Sequence, residues 1–97
     1  MPKGYMIAFG KVNNPEAYKE YASKNNEIFS SYGGKFLVRG GQCEMPEEET
    51  LPRQVVIEFP SFEAAKKAYY SPEYQENLKI RLANAKTQCV IVEGYDG

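Results

Sequence analysis

The chain alternates two kinds of hydrophobic pattern in one fixed order. "GYMIAFGKV", residues 4–12, is a run of the strand type. It is followed by "NNPEAYKEYASKNNEIFSSYGG", in which Tyr18, Tyr21, Ala22, Asn25, Ile28, Phe29 and Tyr32 recur at three-and-four spacing, the signature of a helix with one apolar face. Asn14 is placed to cap that helix, with Pro15 at its first position, and Gly33 and Gly34 stop it. "KFLVRG" and the β-branched "RQVVIEF" are strands, separated by the polar, acidic "GQCEMPEEETLP". "FEAAKKAYY" is helical after a Ser61 cap. The Ser71-Pro72 step breaks it and starts "SPEYQENLKIRLANA" with Ser71 as cap. "TQCVIVEGY" is the last strand. Strand, helix, strand, strand, helix, strand is the ferredoxin-like order, an α+β fold with a four-stranded antiparallel sheet and the helices on one face. At 97 residues a single domain spanning 1–97 is expected.

That arrangement covers one face of the sheet, so the other should be polar if it meets water. It is not. Tyr5, Ile7 and Phe9 alternate with Met6 and Ala8; Val55, Ile57 and Phe59 with Val56 and Glu58; Cys89 and Ile91 with Val90 and Val92. A second copy of the same sheet is the economical cover, and a homodimer is expected.

Several functions are excluded by what the chain lacks. There is no histidine, which removes the commonest metal ligand and the commonest general base near neutral pH. A Ser-His-Asp or Cys-His arrangement and histidine-ligated haem cannot be built within the chain. Two cysteines far apart, Cys43 and Cys89, make neither a disulfide framework nor a zinc site. No metal and no cofactor are expected. The net charge of -1, with basic and acidic residues interleaved, points to neither nucleic acid nor a membrane surface. The first residues lack the apolar run of a signal peptide, so a cytoplasmic protein is expected.

"KGYMIAFGKVNNPEAYKEYASKN", "YGGKFLVRGG", "VVIEFPSFEAAKKAYYSPEYQ" and "VIVEGY" resemble, in order and spacing, the family of unknown function numbered 1330, within the dimeric α+β barrel superfamily. The resemblance implies a ferredoxin-like subunit and a barrel made by two sheets. It brings no reaction with it. The wider superfamily includes cofactor-independent monooxygenases, muconolactone isomerase-like enzymes and haem-degrading enzymes, and fold alone does not choose among them.

Arg39 and Glu58 both interrupt apolar strands. If Gly41 and Gln54 close the hairpin, Arg39 falls opposite residues 56–58, beside Glu58 on one face. Two readings follow. The pair satisfies itself inside a non-catalytic dimeric structural or interaction protein. Alternatively Arg39 orients an anionic group of a small ligand, with a carboxylate nearby, in a cofactor-independent enzyme or binder. Tyr69, Tyr70 and Tyr74 bracket the Ser-Pro break, where a bend opens a cleft against the sheet. Tyr69 and Tyr74 join Arg39 and Glu58 as candidate ligand-binding residues, the alternative for the tyrosines being core packing. No catalytic residue is assigned.

Overall fold

The computed structural model describes residues 2–96. Its elements follow the order read from the sequence: β1 (Gly4–Val12), α1 (Pro15–Ser31), β2 (Lys35–Arg39), β3 (Arg53–Phe59), α2 (Phe62–Tyr69), α3 (Pro72–Asn84) and β4 (Ala85–Glu93). The caps explain the boundaries. Asn14 Oδ1 accepts from Ala17 N–H, Ser61 Oγ from Ala64 N–H and Ser71 Oγ from Tyr74 N–H, each satisfying one of the free donors of a first helical turn. At the end of α1, Gly33 takes φ +82° and its N–H bonds to the Ser30 carbonyl, a left-handed stop that a side chain would strain.

The four strands form one antiparallel sheet in the order β2-β3-β1-β4, the ferredoxin-like arrangement. Met6 in β1 faces Ile57 on one side and Ile91 on the other. These three and Phe59 look toward the helices, where Phe29, Tyr74 and the two alanines of α2, Ala65 and Ala68, complete the core. Aromatic rings dominate it. Phe29 meets Tyr74 with ring centroids 4.7 Å apart and Phe59 edge-on at 5.7 Å, geometries that add to the area each ring buries. α3 is tied to α1 by Asn77, whose amide donates to the Tyr21 carbonyl. The opposite face carries Tyr5, Ile7, Phe9, Val56, Val90 and Val92, and no helix among the described residues covers it. Val90 is 52% exposed and Val92 41%.

The sequence reading of β2 needs correction. Strict alternation puts Leu37 and Arg39 on one face and Phe36 and Val38 on the other. Instead, Phe36 pairs with Ile57 and Val38 with Val56, so two steps along β2 match one along β3. The extra residue is a β-bulge at Leu37, and beyond it every side chain changes face. Phe36 lies against Phe29 on the helix side. Val38 falls on the uncovered side with Val56, and Arg39, paired with Val55, returns to the helix side.

Candidate functional site

The bulge therefore aims Arg39 at α1. Its guanidinium lies 4.5 Å from the centre of the Phe36 ring, and its Nη2 donates to the Ala22 carbonyl at 2.8 Å. Glu58 is elsewhere. It pairs with Tyr5 and Lys35, and accepts from the Tyr5 hydroxyl at 3.2 Å on the uncovered face. The expected Arg39–Glu58 pair does not form, because the register differs from the assumed one and the bulge turns Arg39 over. Nor are the four candidate residues one site. Arg39 and Tyr74 line the same pocket; Tyr69 lines a groove beside β4 with Phe62, Lys66 and Cys89; Glu58 lines neither.

The pocket holding Arg39 and Tyr74 sits between the sheet and helices α1 and α3, with a cavity of about 40 Å³. Its walls are mostly the aromatic core: Tyr18, Tyr21, Phe29, Phe36 and Tyr74. Set among them are three arginines, Arg39 from β2, Arg53 from β3 and Arg81 from α3, with Asn25 from α1. No carboxylate lines the pocket among the described residues. The ion pairs among the described residues are Lys24–Glu20 and Lys79–Glu76, both on helix surfaces, so none of the three guanidinium groups has an acidic partner among them.

Each arginine is placed by local structure. Arg81 is one of the buried positions of α3, with Tyr74, Asn77 and Leu78, and is only 6% exposed. Arg53 opens β3 on the same face as Val55 and Ile57, and its guanidinium lies 5.7 Å from the Tyr18 ring centre. Gly40 gives it room: a Cβ there would stand 2.7 Å from Arg53 Nη1, and Gly40 itself adopts φ +71°. That is the role of the glycine beside Arg39. One arginine is turned to the helix side by the bulge and stays exposed there, and the next passes through the space where a side chain would be.

Tyr21 and Tyr74 share a hydrogen bond between their hydroxyls at 2.7 Å. Burial pushes both phenols up; the Arg81 charge pulls each the other way without reversing the shift. Both therefore stay neutral and keep their protons. Arg81 lies 5.9 Å from the Tyr21 ring centre. The arrangement offers fixed positive charge and neutral hydrogen-bond donors in an apolar setting, where both act more strongly than in water. It offers no base.

Sequence reasoning passed over Arg53, Arg81 and Asn25 as ligand residues, although the signals were there. Arg81 stands seven residues after Tyr74 and three after Leu78, an apolar-stripe position. Arg53 continues the alternation of Val55, Ile57 and Phe59. Asn25 is the one amide in the stripe of α1.

A family model described as a domain of unknown function, DUF1330, matches residues 3–95. No curated protein sequence matches the chain. Among solved structures, a protein of unknown function from Rhodopseudomonas palustris is similar, with a TM-score of 0.75 and 20% identity over 99% of this chain and 85% of that one. A cofactor-independent oxygenase from Streptomyces nogalater gives 0.65 and 12%, over 100% of this chain and 97% of the other. A dimeric ferredoxin-like protein of unknown function from Thermobifida fusca gives 0.62 and 12%, over 95% and 91%. At these identities the likeness is one of fold.

Proposed function

We propose a function from one premise: the chain belongs to the DUF1330 family of domains of unknown function. The function is the binding of a small organic anion in the pocket between the sheet and helices α1 and α3, with its charge held by Arg39, Arg53 and Arg81. The observation that carries this reading is three guanidinium groups in an aromatic-walled pocket with no carboxylate lining it among the described residues. Arg81 is buried without a counter-charge, which is costly, and an anionic ligand removes that cost; Arg53 is half-buried and Arg39 exposed. Tyr74 contributes its ring and hydroxyl. Glu58 and Tyr69 stand outside the pocket and take no part. The self-satisfied Arg–Glu pair of the structural alternative is absent, which weakens that alternative.

Chemistry at such a site is charge stabilisation. Neutral phenols and guanidinium groups donate, and neither removes a proton at neutral pH. A substrate would have to arrive ionised or ionise readily, as an enol or a phenol does. Cofactor-independent oxygenation of such an anion is one reaction compatible with this, and the Streptomyces nogalater protein of similar fold bears that description. The test is a thermal-shift series with small carboxylates and phenols at constant ionic strength, since a ligand that binds only the folded state raises the unfolding temperature. A dose-dependent rise is expected with the native protein. Its persistence in an Arg53→Met, Arg81→Met double variant would remove the pocket as the site.

The protein is further proposed to act as a homodimer, sheet against sheet. Support comes from the uncovered apolar face of β1, β3 and β4, with Val90 and Val92 exposed. Burying at least about 1,200 Å² in total would make the interface a specific one. Sedimentation equilibrium should show a dimer at micromolar concentration, and Val90→Lys should shift it toward monomer. A native protein that is monomeric under these conditions would overturn this.

A further inference from the structure

The pocket is specific for more than negative charge, an inference that rests on the anion-binding reading above. Two polar side chains of its wall are more than nine-tenths buried, Asn25 and Arg81, each 6% exposed. Each carries a buried polar atom with no protein partner among the described residues: Asn25 Oδ1 and Arg81 Nε, joined by Nε of the less buried Arg53. These atoms are of opposite kind. A guanidinium Nε–H only donates, whereas an amide oxygen only accepts.

A bare carboxylate answers half of this. Its oxygens satisfy the guanidinium donors, but they give Asn25 Oδ1 no donor, and a buried, unpaired acceptor carries a desolvation cost. The phenols do not supply that donor in the structure: Tyr21 and Tyr74 meet each other, and Asn25 Oδ1 accepts from neither. A ligand that carries its own hydroxyl next to the anionic oxygen answers both halves at once. A cavity of about 40 Å³ suits a head group of that size, since a single water needs roughly 10–15 Å³.

We infer that the ligand presents an anionic oxygen with a vicinal hydroxyl, the head group of an α-hydroxy acid. The hydroxyl donates to Asn25 Oδ1, and the anionic oxygens accept from Arg81 and Arg53. The head group enters the cavity at Arg81 and Arg53, Arg39 adds its charge from the exposed side, and any apolar substituent lies along Phe36.

Matched probes test this in the native protein by calorimetry at constant ionic strength: glycolate, acetate and methoxyacetate. Glycolate should bind about tenfold more tightly than either of the others, the effect of one well-made hydrogen bond at a buried site. In Asn25→Leu that preference should fall to about twofold or less while acetate binding persists. Equal binding of glycolate and acetate by the native protein would overturn the hydroxyl requirement and leave the anion reading intact. Methoxyacetate binding as well as glycolate would also overturn it, because the ether oxygen has no proton to donate. Failure of all three, and of larger hydroxy acids such as lactate and mandelate, would overturn the anion reading and this inference together.

Discussion

Tyr74→Ala should lower the free energy of unfolding by about 3–5 kcal/mol, read from urea denaturation. Tyr74 is fully buried, and its ring contacts Phe29, Tyr69 and Tyr21 with centroid distances of 4.7, 5.2 and 6.2 Å. Truncation removes those contacts and leaves a hole where α3, α1 and the sheet meet. It also strands the Tyr21 hydroxyl. The hydroxyl part can be separated. Tyr74→Phe keeps the ring and should cost about 1–3 kcal/mol, the penalty for leaving a buried partner unpaired. Tyr21→Phe should cost a similar amount. The double Phe variant should cost clearly less than the sum, because it removes both ends of one bond. Strict additivity would show that the two hydroxyls do not depend on each other.

Arg81→Met is expected to act in the opposite direction. The guanidinium is buried with no acidic partner among the described residues. Desolvating an ion costs several kcal/mol even after relaxation. Its position near the Tyr21 ring returns about 0.5–2 kcal/mol. Methionine fills similar space with no charge to desolvate. The ligand-free protein should therefore gain on the order of 1–3 kcal/mol in stability, while anions no longer raise its unfolding temperature. A gain in stability with a loss of binding marks a residue kept for its ligand. A loss of more than about 1 kcal/mol in the ligand-free protein would make Arg81 a structural residue.

The elements were legible in the sequence because their signals are local. Asn14, Ser61 and Ser71 cap helices as their spacing suggests, and the Ser71-Pro72 step separates α2 from α3. The two-sided apolar character of β1, β3 and β4 could be read from alternation alone. Arg39 could not be placed that way. Nothing in "KFLVRG" marks a bulge: Leu37 is neither a glycine nor otherwise unusual. The bulge accompanies demands from outside the strand, Phe36 against Phe29 and Arg39 against the Ala22 carbonyl. The hairpin register was equally hidden, since a long connection fixes no pairing between its ends. Arg53 and Arg81 are a different kind of miss. Both stand in stripes that the sequence displays, and charges at core-facing positions weigh more than charges on a strand whose register is unknown.

The bulge at Leu37 has a bearing on how chains of this kind can diverge. Removing that one codon would leave Phe36, Val38 and Arg39 opposite Ile57, Val56 and Val55, with simple alternation restored and Arg39 still on the helix side. In comparing related chains, a one-residue gap at position 37 is therefore compatible with an arginine on the same face, whereas a bulge ironed out with Leu37 kept in the ladder would carry that arginine to the uncovered face.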